Sequence, residues 1–160
     1  MKKLPPIAVF MLLIGTSLIW ISPSYSQDSN SIADLIKAQN FVFVAQTASP
    51  TRGGLRQLDP GYDLVVRKDS VVAFLPYFGR SYNAPIGSTD GGIKFTSTAF
   101  EYNVKDRKKG GWDIQIKPTD NKDVRILQLS VFENGSASLI VTSNSRQNIS
   151  FNGRIEEKRR

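Results

Sequence analysis

From Phe41 to the end of the chain, apolar side chains recur at every second residue, in short runs divided by turn residues. Alternation of this kind is typical of strands that bury one face and expose the other. The Asn134-Gly135 pair between two such runs indicates a tight two-residue hairpin. No run alternates with a long helical pattern, so the sequence predicts an all-β, antiparallel fold.

Regularly spaced strands of this length close best as an up-and-down, lipocalin-like barrel, here of about eight strands. The predicted strands are Phe41–Ala45, Gly61–Arg67, Ser70–Leu75, Ile93–Lys105, Trp112–Ile116, Val124–Phe132, Ser136–Thr142 and Gln147–Ile155. Between 93 and 105 the apolar residues switch from odd to even positions, which predicts a bulge or sharp bend near Ser97–Ala99.

One short helix is predicted before the first strand. Ile32, Leu35 and Ile36 recur at helical spacing, and Ser29 or Asn30 precedes them as an N-cap. We expect this helix to span Ser31–Gln39.

The first 26 residues have the three parts of a secretory signal peptide. Lys2 and Lys3 give a positive start, an apolar run follows over 7–21, and Ser24-Tyr25-Ser26 places small residues before a cut at Gln27. The apolar run is shorter than the roughly 20 residues that a membrane span needs. We therefore expect a periplasmic or secreted protein with no transmembrane anchor after cleavage.

The mature chain, 27–160, has the length of one domain, and its last residues, 156–160, form a short charged tail. The sequence has no cysteine and no histidine. That excludes disulfides, thiol nucleophiles, Cys/His zinc sites and Ser-His-Asp triads. No cofactor and no metal site are predicted.

The formal net charge is +7, and the basic residues cluster at Lys105–Lys109 and at the C-terminus. Nucleic-acid sites interleave basic residues with stacking aromatics, and these clusters do not. We expect no nucleic-acid partner and interpret both clusters as solvated, with weak attraction to anionic lipid or polysaccharide as their use.

Paired carboxylates are the catalytic apparatus that this composition leaves open. Glu101 lies in a predicted strand and Glu133 beside the hairpin turn, while the aspartates fall at turns or on polar faces. None has a recognisable acid/base spacing, and a lysine inside Asp120–Asp123 argues against calcium. The chain is therefore predicted not to be an enzyme, with a carboxylate hydrolase as the open alternative.

A long Gly/Pro/Ser-rich loop between two strands carries the candidate site. It contains Tyr77, Phe78, Arg80 and Tyr82, which are the side-chain types favoured at contact sites. The aromatic residues could line a barrel mouth while Arg80 binds an anion. Alternatively, they plug the barrel end and Arg80 pairs with Asp59 or Asp63.

Arg146 supplies a second arginine, in the turn over 144–147. It is the weaker candidate for anion binding. The alternative is a turn residue that is satisfied within the protein.

Several of these motifs occur together in a known family. They are Phe41-Val42-Phe43-x-Ala45, Leu75-Pro76-Tyr77-Phe78-Gly79-Arg80, Gly91-Gly92-Ile93-Lys94-Phe95, Lys108-Lys109-Gly110-Gly111-Trp112 and Arg146-Gln147-x-Ile149-Ser150-Phe151-x-Gly153. In this order they resemble the family catalogued as domain of unknown function 4251. The resemblance implies an exported protein of Bacteroidetes-type bacteria with a lipocalin-like β-barrel, and it implies no activity, substrate or catalytic residue.

Two functional hypotheses follow. The first is a non-catalytic exported binding module that takes a small apolar or amphipathic anionic molecule at the barrel mouth. The second is an envelope interaction protein that presents an aromatic surface to a protein or glycan.

Overall fold

The computed structural model describes residues 31–79 and 91–157. The predicted signal peptide, Arg80, Tyr82 and the last three residues of the tail lie outside the described residues. The elements are α1 (Ile32–Ala38), β1 (Phe41–Pro50), β2 (Arg56–Gln57), β3 (Asp63–Val66), β4 (Val71–Leu75), β5 (Ile93–Ser97), β6 (Phe100–Asp106), β7 (Trp112–Pro118), β8 (Val124–Val131), β9 (Ser136–Ser143) and β10 (Ile149–Glu156).

Nine strands form one nearly closed antiparallel barrel, which confirms the predicted fold class. Their order is β5-β4-β3-β1-β10-β9-β8-β7-β6, and the two-residue β2 pairs only with β1. Neighbours in chain order are neighbours in space, except that the first long strand, β1, pairs with the last, β10. This is an up-and-down barrel closed by its two terminal strands.

The two ends of the strand order, β5 and β6, are successive parts of one bent strand. Because every neighbouring pair is antiparallel, β5 and β6 run in the same direction. Only Thr98 and Ala99 separate them, and β5 pairs with β4 while β6 pairs with β7. Counted as one strand, they give a circuit of eight, in agreement with the predicted number.

The bend between β5 and β6 falls where the apolar register switches, as the sequence predicts. The Asp120 carboxylate holds it by accepting hydrogen bonds from Ser97 Oγ and from the backbone N–H groups of Thr98 (2.9 Å) and Ala99 (3.2 Å). Ser97 is fully buried, so this hydroxyl needs its partners. These hydrogen bonds lower the pKa of Asp120.

The barrel interior is filled with apolar side chains. Alternate residues of the strands point inward, and Phe41, Phe43 and Phe151 are fully buried. Aliphatic residues from all the long strands except β6 complete this core. Burial of this apolar area is the main stabilising term for a chain without disulfides.

The barrel has two different ends. The turn end has short connections at 67–70, 107–111 and 132–135, together with α1. The loop end has the connections 51–62 and 76–92 and the turns 119–123 and 144–148.

Helix α1 packs at the turn end. Leu35 and Ile36 are buried, and the Tyr102 hydroxyl of β6 donates to the Ile36 carbonyl oxygen (3.2 Å). The predicted N-cap was wrong, because Ser31 caps the helix by accepting from the Asp34 N–H (3.2 Å). Within the described residues, no helix is long and apolar enough to cross a membrane.

Candidate functional site

The loop end presents an aromatic cluster on the outer face of the sheet. In β4, Ala73 and Leu75 point inward, so Phe74 between them points outward and is 41% exposed. Its ring stacks on Tyr62, with ring centroids 5.7 Å apart. The stacked rings therefore form a partly exposed aromatic surface at the loop end.

A cation lies beside these rings. Lys94 is the cross-strand partner of Phe74 in β5, and its Nζ atom lies 4.6 Å from the Phe74 ring centroid. On the other neighbouring strand Asp63 is the partner of Phe74. Burial raises the pKa of Asp63, so the cluster combines two aromatic rings with one cation and a carboxyl group whose ionisation is disfavoured.

The cluster borders a cleft of about 200 Å³, which we call the aromatic cleft. It is lined by Tyr62, Phe74, Leu75, Pro76, Tyr77, Gly91, Gly92 and Lys94. It lies on the outer rim of the loop end, because Phe74 and Lys94 both point away from the barrel interior.

Tyr77 lines this cleft. Its hydroxyl donates to the Gln147 carbonyl oxygen (3.2 Å), and the Arg146 guanidinium lies 5.2 Å from its ring centroid. These contacts join the end of β4 to the β9–β10 turn. Tyr77 therefore forms a wall of the cleft and also braces the loop end.

The structure places Arg146 in contact with protein groups. Its Nη1 atom donates to the carbonyl oxygens of Gly91 (2.6 Å) and Gly92 (3.0 Å), and its Nε atom lies 3.6 Å from a carboxylate oxygen of Asp123. Ser145 also donates to Asp123 through its hydroxyl. This arrangement matches the alternative of a turn arginine that is satisfied within the protein, and anion binding by Arg146 stays a prediction.

Phe78 lies apart from the aromatic cleft. It packs against the core, and the Arg56 guanidinium lies 4.8 Å from its ring centroid. Arg80 and Tyr82 are outside the described residues, so the predicted site is seen only through Tyr77, Phe78 and Arg146.

Three of the carboxylates considered for catalysis make contacts within the protein. Glu101 pairs with Lys117 at 3.2 Å on the outer face of β6 and β7. Asp120 and Asp123 hold turns, as the hydrogen bonds above show. Among residues 31–79 and 91–157, no three Asp or Glu side chains cluster in a way that could hold a metal ion.

Sequence reasoning missed Phe74 and Lys94, although the signal was present. In Val71–Leu75 the buried residues are the odd ones, which leaves Phe74 on the solvent face next to Lys94 on β5. The signal is an aromatic residue at a solvent-facing position of a regular strand.

Comparison with known proteins establishes the family. Residues 24–155 match the family described as "Domain of unknown function (DUF4251)". The chain belongs to this family. No protein of curated function matches it.

A solved structure supports the fold independently. The crystal structure of a DUF4251 family protein from Bacteroides eggerthii superposes with a TM-score of 0.62 at 16% sequence identity. The match covers 78% of this chain and 84% of that one. It confirms the barrel, and it indicates no ligand for the family.

Proposed function

We propose that this DUF4251 protein is a non-catalytic exported binding module that takes a small amphipathic anion, with the aromatic cleft as its site. The observation that carries the proposal is the outward Phe74 ring, stacked on Tyr62, with the Lys94 ammonium beside it. Export is supported by the signal-peptide pattern of the first 26 residues.

The chemistry of the cleft favours a ligand with an apolar body and one negative group. The aromatic rings offer apolar surface, and the exposed Lys94 ammonium beside Phe74 supplies a positive charge that can pair with an anion.

The position of the site differs from the predicted barrel mouth. Large side chains fill the interior, so the ligand would lie on the rim and not inside the barrel. Arg146 would contribute indirectly, because its hydrogen bonds hold the Gly91 and Gly92 backbone at the edge of the cleft.

A second candidate function is an envelope interaction protein that presents this surface to a protein or glycan. The outward direction of Phe74 favours it, because such a surface can be reached by a large partner. A small amphipathic anion and a large partner would both contact these rings. Binding of the small anion requires Lys94, whereas binding of the large partner does not.

The test is a fluorescence titration of the mature chain with anilinonaphthalene sulfonate, an aromatic anion. We expect Phe74→Ala and Lys94→Gln each to weaken binding roughly tenfold, since each removes one of the two complementary groups.

Phe132 provides the matched control at the opposite end. It is 44% exposed, and the Arg107 guanidinium lies 4.7 Å from its ring centroid. Phe132→Ala should leave the titration unchanged. Equal weakening by Phe74→Ala and Phe132→Ala would overturn the proposal, and loss with Phe74→Ala but not Lys94→Gln would favour the large-partner function.

A further inference from the structure

The edge of β6 that faces away from β7 has no partner strand among the described residues. β6 pairs with β7 on one side, and β5, its continuation, is the strand that meets β4. Residues 103–106 are all exposed, in contrast to the other long strands. No hydrogen bond from the described part of the chain reaches the backbone of β6 on this side.

The register fixes which backbone groups lie on this edge. Thr119 N–H donates to the Ala99 carbonyl oxygen and Arg107 N–H donates to that of Gly111, so the odd residues bond to β7. In an antiparallel pair these bonded positions alternate with unbonded ones. The N–H and C=O groups of Tyr102 and Val104 therefore point to the open edge.

The charges on this edge are arranged symmetrically about Asn103. Glu101 lies two residues before it and Lys105 two residues after it, all three on the outer face. Charged residues at a strand edge usually prevent further pairing. Antiparallel pairing with a second copy around Asn103 instead places opposite charges face to face. Glu101 of each copy lies opposite Lys105 of the other copy, which gives two such pairs.

The inner face of the edge is suited to the same arrangement. Tyr102 of each copy would lie opposite Val104 of the other copy. Val104 is 39% exposed and borders an apolar groove of about 380 Å³ next to Ile36 and Trp112. An added strand would cover part of this apolar surface, which favours association.

We propose that β6 is a homodimer interface, in which two copies pair their β6 strands antiparallel about a two-fold axis through Asn103. The barrel sheets of the two copies then become one continuous sheet. The seven residues of β6 are far fewer than the residues that bury roughly 800 Å² per partner in a standard interface. We therefore expect a weak dimer whose population depends on protein concentration. This surface is separate from the aromatic cleft.

Because the chain has no cysteine, a single introduced thiol tests the two-fold axis. Residue 103 would face its own copy at an unbonded pair, where Cα atoms lie about 4.5 Å apart, within disulfide range. We expect Asn103→Cys to give a covalent dimer under mild oxidation, seen by intact mass. Gln128→Cys, exposed on the same face and in the same cross-strand row, is the control and should stay mostly monomeric.

Charge exchange tests the register. In sedimentation velocity, Glu101→Lys and Lys105→Glu should each raise the dimer dissociation constant roughly tenfold, since each places two like-charged pairs face to face. The double variant should restore it. Lys117→Gln breaks the Glu101–Lys117 pair within one copy without touching the edge, so it should not weaken the dimer.

Two outcomes overturn the proposal. One is a wild-type chain that remains monomeric up to about 1 mM, a range that includes weak interfaces. The other is a dimer whose yield of disulfide is equal for Asn103→Cys and Gln128→Cys, which would place the contact elsewhere.

Discussion

The two ends of this barrel are held in different ways. At the turn end, short connections rely on backbone conformations, and α1 packs Leu35 and Ile36 against the sheet. At the loop end, side chains hold the chain, chiefly Asp120, Asp123 and Arg146. The loop end also has the aromatic cleft.

This difference separates stability from binding. Tight turns leave little freedom for a ligand, whereas long connections fixed by polar side chains can change without disturbing the core. We therefore expect substitutions at the turn end to cost more stability than matched substitutions at the loop end. Two matched pairs test this difference, and a third pair tests one polar contact of the loop end; they follow in decreasing order of expected effect.

The largest effect is expected for Gly111→Ala. Gly111 has φ +88° at the turn end, and a Cβ atom there would overlap the Val131 carbonyl oxygen, a backbone atom that cannot move aside. We expect a loss of about 3 kcal/mol in urea unfolding. Gly61→Ala is the loop-end match, with φ +112° but open space around it, and should cost only about 1 kcal/mol. Equal losses would contradict the comparison.

Two tyrosine hydroxyls give a finer test. Tyr102 at the turn end and Tyr77 at the loop end each donate to a backbone carbonyl oxygen at 3.2 Å. Burial raises the pKa of the Tyr102 hydroxyl well above the usual range. We expect Tyr102→Phe to cost about 1 kcal/mol and Tyr77→Phe about half of that in thermal or urea unfolding. A larger loss for Tyr77→Phe would show that the loop end is the more rigid.

The smallest effect is expected for Asp120→Asn, because the carboxylate is exposed to solvent. Its hydrogen bonds to Ser97, Thr98 and Ala99 lower its pKa below the ordinary 3.8, so it stabilises the fold fully above that pH. This contribution is lost as the pH falls through the lowered pKa. The stability difference between wild type and Asp120→Asn should therefore shrink below pH 3.8.

The matched control for the loss of one charge is Asp59→Asn, also exposed at the loop end. If its stability follows the same pH course as Asp120→Asn, the bend between β5 and β6 does not depend on the Asp120 hydrogen bonds.

Much of the fold could be predicted because it depends on local patterns. Period-two alternation located the strands, Asn134-Gly135 located the β8–β9 hairpin, and the switch in apolar register located the bend at Ser97–Ala99. The predicted first strand ended too early, at Ala45. A bulge between Ala45 and Thr47 interrupts the alternation, and β1 continues to Pro50.

The candidate site was harder to predict because it depends on long-range pairing. Tyr77 follows from the loop composition, but the contact of Arg146 with Gly91 and Gly92 joins residues far apart in sequence. The register of β4 against β5, which brings Lys94 to Phe74, is likewise invisible in a single strand.

Pairing between β1 and β10 also determines when this protein can fold. The two strands that complete the barrel lie at opposite ends of the described chain, with Val42 opposite Glu156. Contacts between such distant residues form slowly, because a long loop must close before they stabilise anything. The barrel cannot close until the last strand has been synthesised, so every earlier intermediate has unpaired strand edges. A chain of this design would benefit from a chaperone that keeps it unfolded until translation is complete.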